Sequence, residues 1–79
     1  MLYLGVDVHK NMSYVTAVEK EGQVRFRGAL SNKSEDFKKM LAELGEECEA
    51  VIETTYCWGV VYDLLEELRV KTKWRMRRS

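Results

Sequence analysis

The chain has no proline, two cysteines, one histidine and no net charge across its 79 residues. Without proline, nothing in the covalent chain forces an interruption of a helix or a strand. Cys48 and Cys57 lack a Cys-x-x-Cys spacing, and the single His9 lies far from both in sequence. That argues against a zinc site and reads as two free thiols in a reducing compartment. No apolar run approaches the ~20 residues that cross a bilayer. No charged start followed by an apolar stretch marks a secretory leader. The expectation is a cytoplasmic protein with no membrane partner. Disorder is excluded too, because hydrophobic residues make up 46% and charged residues 33%, an ordinary globular balance. The length suits one small domain near the limit where a single core suffices.

Charge is balanced overall but unevenly placed. From Arg69 onward there are six basic residues and no acids, so residues 1–68 hold seven basic residues against all thirteen acids, a balance of −6. A basic tail of this kind can bind phosphates. Lys71, Lys73, Arg75, Arg77 and Arg78, with Lys10 near the other end, are the candidate nucleic-acid contacts. The competing reading is a solvated terminus. Trp74 within the tail could stack on a base or cover an apolar patch.

The organising stretch is residues 2–8, Leu-Tyr-Leu-Gly-Val-Asp-Val, a short continuous apolar run that reads as a buried strand. Asp7 is out of place there, since a buried carboxylate needs a hydrogen bond, an ion pair or a cation. It either caps the following turn or binds a metal at a sheet end. Residues 12–19 form a second strand, and Lys20-Glu21-Gly22-Gln23 a hairpin turn in which Gly22 can take positive φ. Residues 24–30 form a third strand, with Val24, Phe26 and Gly28 on one face and Arg25 and Arg27 on the other, as suits an edge.

Ser34 is the expected N-cap of a helix whose first turn carries Glu35 and Asp36. Phe37, Met40, Leu41 and Leu44 make one helical stripe, and Gly45 ends it. A fourth strand spans residues 48–53 and should run parallel to the first across the helical crossover. Thr54 or Thr55 can cap a second helix over residues 58–68, with Val60, Val61, Leu64, Leu65 and Leu68 as its apolar set. Residues 70–74 would be a fifth, parallel strand. The order βββαβαβ implies a mixed α/β sheet, its first three strands antiparallel, with helices packed on it.

In this topology Asp7 and Glu53 end neighbouring parallel strands. That rim is where open α/β sheets bind ligands. Paired carboxylates repel, and a cation relieves the repulsion. Magnesium suits such a pair, since it takes one or two carboxylates plus waters and phosphates. The competing reading of Glu53 is an acid that caps the second helix.

Gly5-Val6-Asp7-Val8-His9-Lys10 resembles the opening motif of the DEDD transposases of the Piv/MooV invertase type. Ala50-Val51-Ile52-Glu53-Thr54-Thr55, with Tyr62-Asp63-Leu64-Leu65-Glu66-Glu67-Leu68 after it, is similar to that family's acid-ended strand and the next helix. The resemblance covers about residues 2–70. It implies a RuvC-like, ribonuclease-H-like fold and metal-dependent DNA cleavage and strand transfer by an insertion-sequence enzyme. By position, Asp7 is the first acid of the set and Glu53 the second, both catalytic and both ligands of Mg2+ or Mn2+. The family's other two acids lie farther along a longer chain, and its usual glycine before the fifth strand is replaced by Arg69. The expectation is therefore a single truncated N-terminal domain over 1–79 that binds metal weakly and is inactive alone. DNA is the expected partner, with a homo-oligomer as a further possibility.

Two other readings stand beside this one. The actin-like and sugar-kinase class has the same element order and a Gly-x-Asp first strand. Its first turn is usually rich in glycine, which His9-Lys10-Asn11-Met12 is not. A non-catalytic dimerising module would bury Trp58, Val60 and Val61 at an interface.

Overall fold

The computed structural model describes residues 1–54 and 59–76. Five strands and two helices follow in the order β1 (Leu2–Val8), β2 (Met12–Glu19), β3 (Val24–Ser31), α1 (Ser34–Leu44), β4 (Cys48–Thr54), α2 (Gly59–Glu67) and β5 (Lys71–Met76). The strands form one mixed sheet in the spatial order β3-β2-β1-β4-β5. β2 is antiparallel to β1 and to β3, while β4 is parallel to β1 and to β5. The meander arises from two tight turns. At Lys20–Gln23, Gly22 takes φ 93° and the Glu19 amide donates to the Gln23 carbonyl at 2.8 Å. Gly22 is needed there because that φ is strained for any side chain.

Both helices lie on the same face. Leu2, Leu4, Val6 and Val8 of β1 alternate inward and join Val15, Ala17, Ala50 and Ile52 in one core. Phe37, Met40 and Leu44 of α1 and Val61, Leu64 and Leu65 of α2 close it. Phe37 is fully buried, which contributes about 1.5–3 kcal/mol. The other face stays open among the described residues. Tyr3 is 40% exposed and Tyr14 53%. β1, expected to be buried throughout, is thus buried on one face only, because neither crossover crosses to the far side.

Four local expectations change. The N-cap of α1 is Lys33, without a side-chain cap bond, and Ser34 is the first helical residue. The Asp36 carboxylate instead accepts from the Ser31 amide at 3.3 Å and from the Ser31 hydroxyl, so the entry to the helix is tied three residues further back. In β3 the register slips at Ala17/Val18, so Ala17 faces Phe26 but Val18 faces Val24. The extra residue breaks the alternation. Val24 is left 45% exposed, and Arg25, instead of pointing alone into solvent, donates to Glu46 at 2.9 Å. Val60 faces solvent at 59% exposure, whereas Val61 is buried in the core rather than free for an interface. Trp58 and Thr55 lie outside the described residues, and Thr54 is the buried last residue of β4.

β5 begins one residue later than expected and runs further. The reason is the end of α2. Arg69 takes φ 62°, its amide donates to the Glu66 carbonyl at 2.9 Å, and the Val70 amide donates to the Leu65 carbonyl at 2.9 Å. This is a Schellman closure with Val70 turned inward, and it holds Val70 off the strand.

Candidate functional site

The register brings the two acids singled out from the sequence side by side. Asp7 is directly opposite Glu53 on parallel β1 and β4. Tyr14 is opposite Asp7 on β2, and Arg75 opposite Glu53 on β5. The row Tyr14–Asp7–Glu53–Arg75 therefore crosses the open face near the carboxyl ends of β1, β4 and β5. Period-two alternation puts Tyr3, Gly5 and Asp7 on this face, away from the core.

A basic side chain stands against each acid. His9 Nε2 lies 3.3 Å from Asp7 Oδ2, and Arg75 Nη1 lies 3.7 Å from Glu53 Oε1. The two carboxylates are 36% and 41% exposed, so water screens these pairs and each contributes only a few tenths of a kcal/mol. His9 also meets Tyr14 edge to face, with ring centroids 5.4 Å apart. The site is thus walled by an aromatic pair on the β2 side and by cationic β5 on the other.

A cleft of about 230 Å³ opens here, lined by Gly5, Val6, Asp7, Val51 and Glu53. Gly5 forms its floor, and a Cβ added there would meet nothing within 4 Å. A larger cleft of about 320 Å³ lies between β3 and α1, beside Phe26, Leu30 and Met40. Of its two carboxylates, Asp36 and Glu43, Asp36 is already engaged by Ser31, which holds that carboxyl below the usual carboxylate range. The smaller cleft is the one that gathers acids from two strand ends.

The turn above the site is pinned from a distance. The His9 amide donates to the Met12 carbonyl at 2.9 Å, and Asn32 Nδ2 donates to the His9 carbonyl at 2.8 Å. The hydroxyl of buried Ser13 donates to Asn32 Oδ1 at 2.6 Å. Neither Asn32 nor the pairing of His9 with Asp7 was visible in the sequence. Asn32 sits 23 residues from its partner in what reads as an ordinary polar loop.

Of the basic candidates, Lys71, Lys73 and Arg75 alternate with Thr72 and Trp74 along β5 and are all exposed. Trp74 packs beside Tyr62 of α2, with ring centroids 5.6 Å apart, which places its neighbours Lys73 and Arg75 on the open face. Lys10 is exposed in the first turn. Arg77 and Arg78 lie outside the described residues. Among the described residues, no group of three or more His, Cys, Asp or Glu side chains is gathered for a metal. The donor set is the two carboxylates, which is what magnesium usually takes from a protein.

No protein-family model matches the chain, and no curated protein matches it. Among solved structures it is similar to a protein from Bacteroides thetaiotaomicron VPI-5482 described as having an actin-like ATPase fold and unknown function. The likeness has a TM-score of 0.65 at 14% identity and covers 94% of this chain but 32% of that one. The likeness shows the fold. This chain spans about a third of that protein's length. No helix among the described residues is long and apolar enough to cross a membrane.

Proposed function

We propose that this chain belongs to a ribonuclease-H-like catalytic domain of the DEDD transposase type, acting on DNA in the cytoplasm. Asp7 and Glu53 would hold the first part of its divalent-metal site. The observation that carries the reading is the register, which sets the two acids directly opposite each other on parallel strands. Gly5 supports it by keeping the space in front of them empty. Arg69 departs from the glycine usual there in the family, but it still takes the left-handed conformation, so the closure of α2 is kept.

Mg2+ or Mn2+, when bound, supplies activated water and stabilises the leaving oxygen in phosphodiester cleavage. The chain's own groups do the rest. His9 orients Asp7, and Arg75 beside Glu53 offers a guanidinium to a phosphate. The family's site uses four acids, and Asp7 and Glu53 are the two that the described residues bring together. Titrating Mg2+ to millimolar levels should move the NMR signals of Asp7 and Glu53, and Asp7→Ala should abolish the movement. Unchanged signals in the parent protein would reject the site.

A second reading, nucleotide binding, is favoured by the likeness to a protein with an actin-like ATPase fold. The first turn works against it. The turn has no glycine, and its His9 amide is spent on the Met12 carbonyl rather than offered to a phosphate. A rise in melting temperature with ATP would favour this reading over the first.

A further inference from the structure

Gly5 stands at the middle of the central strand, where glycine weakens a sheet. Its backbone does not require glycine, because its φ is not positive and a Cβ would have room. What glycine does here is leave the space above the strand open. Around that space the open face has a definite layout. Exposed Tyr3 and half-buried Val51 flank Gly5, and Lys71, Lys73 and Arg75 form a column at the β5 edge. Successive members of the column are about 6.6 Å apart, two residues along a strand. Lys71 faces Glu49 and Arg75 faces Glu53, while Lys73 faces the apolar Val51.

We propose that this open face is a track for single-stranded DNA that delivers a phosphodiester to Asp7 and Glu53. The backbone follows Lys71, Lys73 and Arg75, and the bases turn inward over Val51 and Gly5 to stack on Tyr3. The inference rests on the phosphodiester reading of the acid pair and adds the strandedness and path of the substrate. Aromatic platforms edged by cations suit unpaired bases, which present their faces for stacking. A duplex hides those faces. An amphipathic helix or a second copy would have to dehydrate Asp7, Glu49, Glu53 and three cations to cover the same face, which is costly.

The experiment is anisotropy of a fluorescein-labelled oligothymidylate with the full chain, in EDTA so that no metal contributes. Three phosphate contacts should give a log–log salt slope of about −2. Lys73→Glu should weaken binding roughly 10-fold and flatten that slope by about one. Gly5→Leu, which fills the floor, should weaken binding at least as much at a melting temperature no lower than that of the parent protein. Should that variant fail to fold, Lys73→Glu decides. Lys38→Glu, exposed on α1, should change nothing.

Wild-type binding by both Lys73→Glu and Gly5→Leu would overturn the track. So would loss confined to Arg77→Ser/Arg78→Ser, equal affinity for duplex, or a dimer that protects Tyr3 from solvent. The two proposals fail separately. Metal-induced shifts at Asp7 and Glu53 without DNA binding remove only the track, and DNA binding without metal shifts removes only the metal site.

Discussion

Arg69→Gly should stabilise this protein. Arg69 holds φ 62° as the residue that reverses the chain after α2. An L-residue pays about 1–2 kcal/mol to sit in the left-handed region. Glycine avoids that cost but loses about 0.5–1 kcal/mol more backbone freedom on folding. The side chain is exposed, so its removal forfeits little packing. The balance favours glycine by about 0.5–1 kcal/mol, which for a domain of this size raises the melting temperature by about 3–6 °C. Arg69→Ala is the control, since alanine keeps the strain and should melt close to the parent protein. Circular dichroism melts of the three proteins at pH 7 suffice. If glycine is no more stable than alanine, the left-handed strain assigned to this closure does not exist.

Acid should weaken the fold through two surface anchors. The Ser31 hydrogen bonds hold Asp36, and those from Arg25 and the N-terminal ammonium hold Glu46, below the ordinary carboxylate range. Because these folded values lie below the unfolded ones, the stability they add is complete above the ordinary carboxylate value. It drains as pH falls through the lowered values. Urea midpoints taken from pH 6 downward should show this decline, and Ser31→Ala with Arg25→Ala should make it shallower; an identical slope in that double variant would contradict the assignment. Cys48 is buried, and burial, helped by Glu46, pushes its thiol above the usual value. In a Cys57→Ser background a disulfide reagent at pH 7 should therefore modify Cys48 only as fast as the protein opens, and modification at the rate of a free thiol would refute its placement.

Local pattern determined most elements. The apolar alternation of Leu2, Leu4, Val6 and Val8, the stripe Phe37–Met40–Leu41–Leu44 and the turn glycines Gly22 and Gly45 act over a few residues, so they were legible in the chain itself. The meeting of Asp7 with Glu53 was legible for a related reason. A helical crossover makes two strands parallel, and parallel strands share their carboxyl ends. The Ser34 cap and the set of Val60 were not legible locally, because Asp36 is tied back to Ser31 and because α2 buries Val61, Leu64 and Leu65 and leaves Val60 in solvent. Tertiary structure alone decided that both helices cover one face, leaving Tyr3 and Gly5 open. It also decided that His9, Tyr14 and Arg75 surround the acids and that Asn32 holds the turn above them. Those contacts join residues with no shared period or spacing, so only the folded sheet brings them into range.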